Sequence, residues 1–315
     1  MKKILFLLTV CCVTLHACND DDPLPSFKDE GFTFENYPKV DGSTSTAPLQ
    51  NIIACRLLGI NYKWEELMHA YFIWQVTPDY EAMPDGFWEN HIKVSQTHQS
   101  FLNLIDGEAD VILSARKMSP DEKQYADRTG VTLIETPVAL DALVFIANPQ
   151  NPVYSLKEEE IQNIYAGEIT NWKELGGNNS TIKPFIRNAN SGSQELMESL
   201  VMKDKKISDW SESLELHSMM LAFTEVLAEP AGLCYTVQYY KENIVRNKDI
   251  KTLAVNNVYP DKKTIRSRTY PYTSEIYVII RANQDKSSSA YKLYELLQTK
   301  DGKSLIEESG YIACP

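Results

Sequence analysis

Apolar positions recur along the chain with two periods, and the alternation between them sets the fold class. Residues 109–114, 142–147 and 276–280 are β-rich and apolar on both faces. That is the pattern of strands covered by helices on either side. Between them, Ala47–Leu58 places Leu49, Ile52, Ile53 and Leu57 on one helical face. Residues 157–165 and 288–300 read as helices in the same way. Such alternation predicts an α/β chain with parallel sheets. Residues 77–90 hold Tyr80, Phe87 and Trp88 among prolines and a glycine, and read as a long surface loop whose aromatics pack onto the body.

The first residues carry a separate signal. Lys2 and Lys3 precede an uncharged apolar run from Ile4 to Val13. The run is too short to span a bilayer as a helix, which takes about 20 residues, and has the pattern of a secretory signal. It ends in Leu15-His16-Ala17-Cys18, which resembles a bacterial lipobox whose Cys is lipidated after cleavage before it. Residues 1–17 are therefore expected to be a lipoprotein signal peptide and Cys18 the lipidation site. Residues 18–36 are expected to form an acidic, solvated tether, because Asp20, Asp21 and Asp22 repel one another and Pro23 and Pro25 interrupt it. About 280 residues follow, enough for two lobes.

The formal charge of −12 argues against a nucleic-acid partner, which needs a basic surface. It does not exclude a small anion, since neutral N–H and O–H donors bind one locally. Three hydroxyl-rich segments supply such donors. Asp41-Gly-Ser-Thr-Ser-Thr-Ala-Pro-Leu49 opens a helix with Pro48 in its first turn. Arg187-Asn-Ala-Asn-Ser-Gly-Ser-Gln194 offers a guanidinium, a close-approach Gly192, and a capping box between Ser191 and Gln194. Ser114-Ala-Arg116 ends an apolar strand, where ligands of open parallel sheets sit. Any one of these segments also reads as ordinary helix capping; three in one chain favour an anion. Cys55, Cys234 and Cys314 show no ligand spacing and read as buried thiols. The five histidines, His16, His69, His91, His98 and His217, are scattered, and no GxSxG, HExxH, Walker A or GxGxxG sequence occurs. The chain is thus read as a non-enzyme with no cofactor or metal. Trp172 reads as a structural turn anchor.

These segments, with Asp141-Ala-Leu-Val-Phe-Ile-Ala-Asn-Pro-Gln-Asn-Pro152, Ile164-Tyr-Ala-Gly-Glu-Ile-Thr-Asn-Trp172, Gly176-Gly177 and Gly310-Tyr-Ile312, make the chain from about Tyr37 onward resemble the PstS-like phosphate-binding proteins of ABC importers. The resemblance implies the two-lobe type II periplasmic-binding-protein fold, each lobe a mostly parallel sheet flanked by helices, hinged by two crossing strands. It puts 37–138 and 240–315 in lobe 1 and 139–239 in lobe 2. It implies ligand contacts from Ser45, Thr46, Thr97 and Ser114 in lobe 1, and from Arg187, Ser191, Gly192 and Ser193 in lobe 2. An alternative alignment puts His98 in place of Thr97. One departure concerns the acidic residue that follows the family Ser matching Ser114. Here Ala115 stands in its place, which removes the acceptor that favours protonated phosphate over sulfate. Arg116 then either adds positive charge or forms a surface ion pair.

The expected function is capture of inorganic phosphate, or a similar tetrahedral oxyanion, by a monomeric lipoprotein anchored outside the cytoplasm. It would deliver the ion to ABC permease and ATPase subunits. A second reading keeps the fold for sensing or surface contact without transport. A third, phosphate-ester hydrolysis by a serine of the Gly42–Thr46 turn, has no visible base or metal to activate a hydroxyl.

Overall fold

The computed structural model describes Phe27 and residues 30–209 and 214–315. The signal segment 1–17, Cys18 and the start of the tether lie outside the described residues. No described helix is long and apolar enough to cross a membrane.

The spine is the strand Leu133–Ala147, whose part from Val138 onward is buried on both faces. Thr273–Arg281 runs antiparallel beside it from Leu133 to Ala142. Gly232–Val237 and Lys251–Val255 run antiparallel beside its last residues, one on each edge. One strand therefore joins two half-sheets of what is, among the described residues, a nine-stranded whole. The first half continues through Val111–Ser114 to Val40–Gly42, and the second reaches Lys183–Pro184 and Ser155–Leu156.

The two-lobe α/β architecture is the one expected, but the sheets are mixed rather than mostly parallel. Every neighbour of the long strand, Ile312–Ala313 included, runs against it. Parallel pairs remain at Val40–Gly42 with Val111–Ser114, Gly232–Val237 with Lys183–Pro184, and Lys251–Val255 with Ser155–Leu156. Burial on both faces erases the period-2 alternation whichever way a strand runs, so the apolar runs could not reveal direction. The lobe boundary also needs correcting. Lys251–Val255 lies in 240–315 yet pairs with the second half-sheet, so the chain re-enters that lobe before Thr273–Arg281 carries it back.

Ala47–Leu58 and Glu158–Tyr165 form where the helical periodicity put them. The helix expected over 288–300 breaks in two. Ser289–Leu296 stops, and the Thr299 hydroxyl accepts from Gly302 N at 3.1 Å to start Lys300–Glu308. The turn is so tight that a Cβ on Gly302 would meet Leu296 O at 2.1 Å. In the 77–90 stretch, Phe87 is buried and Trp88 packs on the core, whereas Tyr80 stays exposed. A hairpin of Tyr62–Met68 and Ile73–Pro78 was not expected. The Arg246 guanidinium lies over its Trp64 and Trp74 rings at 4.7 and 4.5 Å. The tether ends earlier than residue 36, because Phe27 and Phe32 are buried in the main core. Trp172 is the expected anchor, its indole N–H donating to Ala231 O at 2.9 Å. Cys55 and Cys234 are buried and Cys314 partly so, and all three thiols are free.

Candidate functional site: a cleft between the two lobes

The first wall grows from the parallel pair Val40–Gly42 and Val111–Ser114, whose carboxyl ends point the same way. Gly42 lets its strand lie against both the neighbouring strand and the helix start, for a Cβ there would lie 2.3 Å from Leu113 O and 2.8 Å from Thr46 Oγ1. Ser43 then turns the chain into a 3-10 turn, Thr44–Thr46, that runs into Ala47–Leu58. Buried Asp41 sets the neighbouring loop by accepting from Ser95 N at 2.9 Å and Asn103 Nδ2 at 2.7 Å. This brings Thr97 Oγ1 to 2.9 Å from Ser43 Oγ, which also accepts from Ala115 N at 3.0 Å.

The second wall is built around Arg187, at the end of the short strand Ile186–Arg187. Its backbone N–H is held by Tyr235 Oη at 3.0 Å and Gln194 Oε1 at 3.2 Å. Its guanidinium donates from Nε to Leu216 O at 2.8 Å and from Nη1 to Ser193 Oγ at 3.2 Å. Ser191 caps the helix Gly192–Leu196 by accepting from Gln194 N at 3.3 Å. The expected capping box is only half made, because the Gln194 side chain turns instead to Arg187 N and Tyr235.

The walls touch. Arg116 Nη2 donates to Asn190 O at 3.1 Å, and Asn190 Nδ2 to Asp121 Oδ2 at 3.3 Å. A Cβ on Gly192 would lie 2.7 Å from Thr97 Oγ1, so glycine permits the lobes to meet there. Between them lies a cleft of about 220 Å³. That is below the roughly 300–1,000 Å³ of pockets for drug-sized ligands and suits a small ion with some water.

Six of the eight expected site residues line this cleft: Ser45, Thr97, Arg187, Ser191, Gly192 and Ser193. Thr46 and Ser114 do not. The Thr46 hydroxyl points inward to Ser43 O and Leu113 O, at 2.9 and 3.0 Å, and accepts from Gln50. Ser114 Oγ is turned back to Arg116 O at 2.7 Å. Missed were Ser43, Thr44, Ser95 and Gln96 on the first wall and Asn188 and Asn190 on the second. Ser43 and Thr44 stood in the quoted hydroxyl run. The 3-10 turn rotates them toward the cleft and Thr46 away from it, and no residue in the run marks that rotation. Thr97 and His98, the two alternatives of the alignment, both line the cleft.

Electrostatically the site is the opposite of the chain. Among the described residues no Asp or Glu lines it, and Arg187 is its one fixed cation. Arg187 is 5% exposed and has no carboxylate partner among the described residues. Burial pulls its pKa below the ordinary guanidinium value. A buried cation without a counter-ion carries a desolvation cost that a bound anion would offset. Arg116 adds no charge to the cleft and is not a surface pair. It is buried and forked onto buried Glu122, Nη1 to Oε2 and Nη2 to Oε1, both at 2.7 Å.

Comparison with known proteins agrees with this arrangement. A family model for a PBP superfamily domain matches residues 72–296. The phosphate-binding protein PstS of Borreliella burgdorferi is 24% identical over 99% of both chains. Among solved structures, an ABC-type phosphate transport receptor from Vibrio cholerae superposes with a TM-score of 0.60 at 23% identity, covering 88% of this chain and 100% of the other. A putative phosphate ABC transporter substrate-binding protein with bound phosphate, from Clostridium perfringens, gives 0.63 at 19% identity, covering 88% and 99%. The lobes, the shared strand and the family match over most of the chain lead to one assignment: this protein belongs to the PBP superfamily.

Proposed function

We propose that the cleft binds inorganic phosphate, or a closely similar tetrahedral oxyanion, as the receptor step of an ABC importer. The observation that carries this reading is Arg187: a buried guanidinium that, among the described residues, has no carboxylate partner and sits at a cleft lined by hydroxyls and free of acidic side chains. Ser43, Ser45, Thr97 and Ser193 supply O–H donors, and the helix starts at Thr44 and Gly192 supply backbone N–H groups. Ser45, Thr97, Arg187, Ser191, Gly192 and Ser193 are the proposed ligand-binding residues. An anion held by both walls favours the closed arrangement, and a permease would read that state. The likeness to phosphate receptors that span nearly their whole length with this chain supports the same reading. Lipidation at Cys18 would hold the protein, as a monomer, at the outer side of a bacterial membrane.

Calorimetric titration of anion-free protein with phosphate, sulfate, molybdate and tungstate tests the proposal. Heat of binding with phosphate is expected; no heat from any of the four ions would refute it.

A further inference from the structure

The cleft has no carboxylate among the described residues that line it, yet one of its side chains is fixed as a hydrogen-bond acceptor. His98 lines the cleft beside Thr97. Its Nδ1 is 2.9 Å from Glu122 Oε1. Glu122 is fully buried and receives four donors: Arg116 Nη1 and Nη2, Ser119 N and His98 Nδ1. An ionised carboxylate only accepts, so this network assigns the ring hydrogen to Nδ1. In the neutral imidazole Nε2 is then a bare lone pair, and it has no protein partner among the described residues.

We propose that His98, locked by Glu122 with Nε2 as an acceptor, selects oxyanions that carry a proton over those that do not. The inference rests on the reading of the cleft as a phosphate site. Phosphate at neutral pH keeps an O–H, which can donate to Nε2. Sulfate has only lone pairs, which face another lone pair there. The serine and threonine hydroxyls and the asparagine and glutamine amides of the walls turn to suit either ion, so they discriminate little. An acceptor whose hydrogen is held elsewhere cannot adapt: the His98 side chain is 36% exposed at the cleft, and an ion that fills the cleft displaces water from Nε2, so an ion without a proton leaves that lone pair unsatisfied. The selecting role thus falls to a histidine held from the helix Pro120–Thr129, although the position after Ser114 is alanine.

The test is competitive calorimetry at pH 8.5 with phosphate, arsenate, sulfate and selenate on the wild type, His98→Gln and His98→Leu. The wild type is expected to bind the protonated pair, phosphate and arsenate, at least tenfold more tightly than the other two. His98→Gln keeps an amide donor for Glu122 and a carbonyl acceptor for the ligand, and should retain that preference. His98→Leu should lose at least tenfold in the phosphate-to-sulfate ratio, a readout that a general loss of stability would not move. Wild-type protein that binds sulfate as tightly as phosphate overturns the inference. So does a His98→Leu ratio within twofold of wild type while phosphate binding persists. Absence of binding by every anion to the wild type would instead overturn the phosphate site itself.

Discussion

Asp141 is the residue whose removal should stabilise the protein, and only above mildly acidic pH. It sits on the long strand where that strand passes from one half-sheet to the other, 3% exposed. Oδ1 accepts from Ala142 N at 2.8 Å and Tyr239 N at 2.9 Å, while Oδ2 has no hydrogen-bond partner among the described residues. Burial pushes the carboxyl up from the ordinary 3.8 to about 7, against the lowering effect of those two N–H groups. The sign follows from linkage. Between these two values the folded state holds a proton that the unfolded state has released, so stability falls as pH rises. Each pH step in that interval takes about 1.4 kcal/mol, which gives about 4 kcal/mol by pH 7 and no further loss above it. An adjoining cavity of about 50 Å³ has room for about one water of ~30 Å³, which makes this figure a ceiling. Asp141→Asn replaces the protonated acid with a neutral amide of the same shape. Urea unfolding at pH 5 and pH 8, in phosphate-free buffer so that no ligand contributes, would measure it. The variant should exceed the wild type by up to about 4 kcal/mol at pH 8 and by about 2 kcal/mol or less at pH 5. A difference independent of pH, or a variant less stable at pH 8, would refute the reasoning.

Other consequences are equally specific. Arg187→Met should weaken phosphate binding by two or more orders of magnitude, since about two charge-assisted hydrogen bonds of roughly 1.5–3 kcal/mol each are lost; its unliganded form should melt no lower than wild type, read by calorimetric scanning without anion. Gly192→Ala puts a Cβ 2.7 Å from Thr97 Oγ1, so small-angle scattering with saturating phosphate should show a more open particle, and affinity should drop at least tenfold. Thr46→Val should lower stability by about 1–3 kcal/mol through its lost inward hydrogen bonds, with phosphate affinity within a few-fold of wild type. Arg116→Ala should cost about 3–5 kcal/mol in denaturant unfolding, because it leaves Glu122 buried without its cation.

Much of the fold was legible because its strands and helices differ in period. Glu158–Tyr165 has a clean apolar face, and Ala47–Leu58 is buried on most of its surface; both formed where the period placed them. Direction and sharing of strands were not legible. Leu133–Ala147 is one element serving two half-sheets, and nothing in its residues says that its neighbours all run against it. At the site, the residue types that bind anions could be recognised, but their rotation could not. Thr46 and Ser43 are chemically alike in sequence, and a single 3-10 turn sends one hydroxyl to Leu113 O and the other to the cleft. The Arg116–Glu122–His98 network joins three segments that the sequence keeps apart, so the pattern around Ser114 left the role of Arg116 open.

The central claim is that an anion bound between the lobes is held by Arg187. A crystal structure of the protein grown with phosphate tests it most directly. The account predicts tetrahedral density in the cleft, within hydrogen-bond distance of the Arg187 guanidinium and of hydroxyls from both walls. Phosphate bound elsewhere, with Arg187 still lacking an anionic partner, would contradict it.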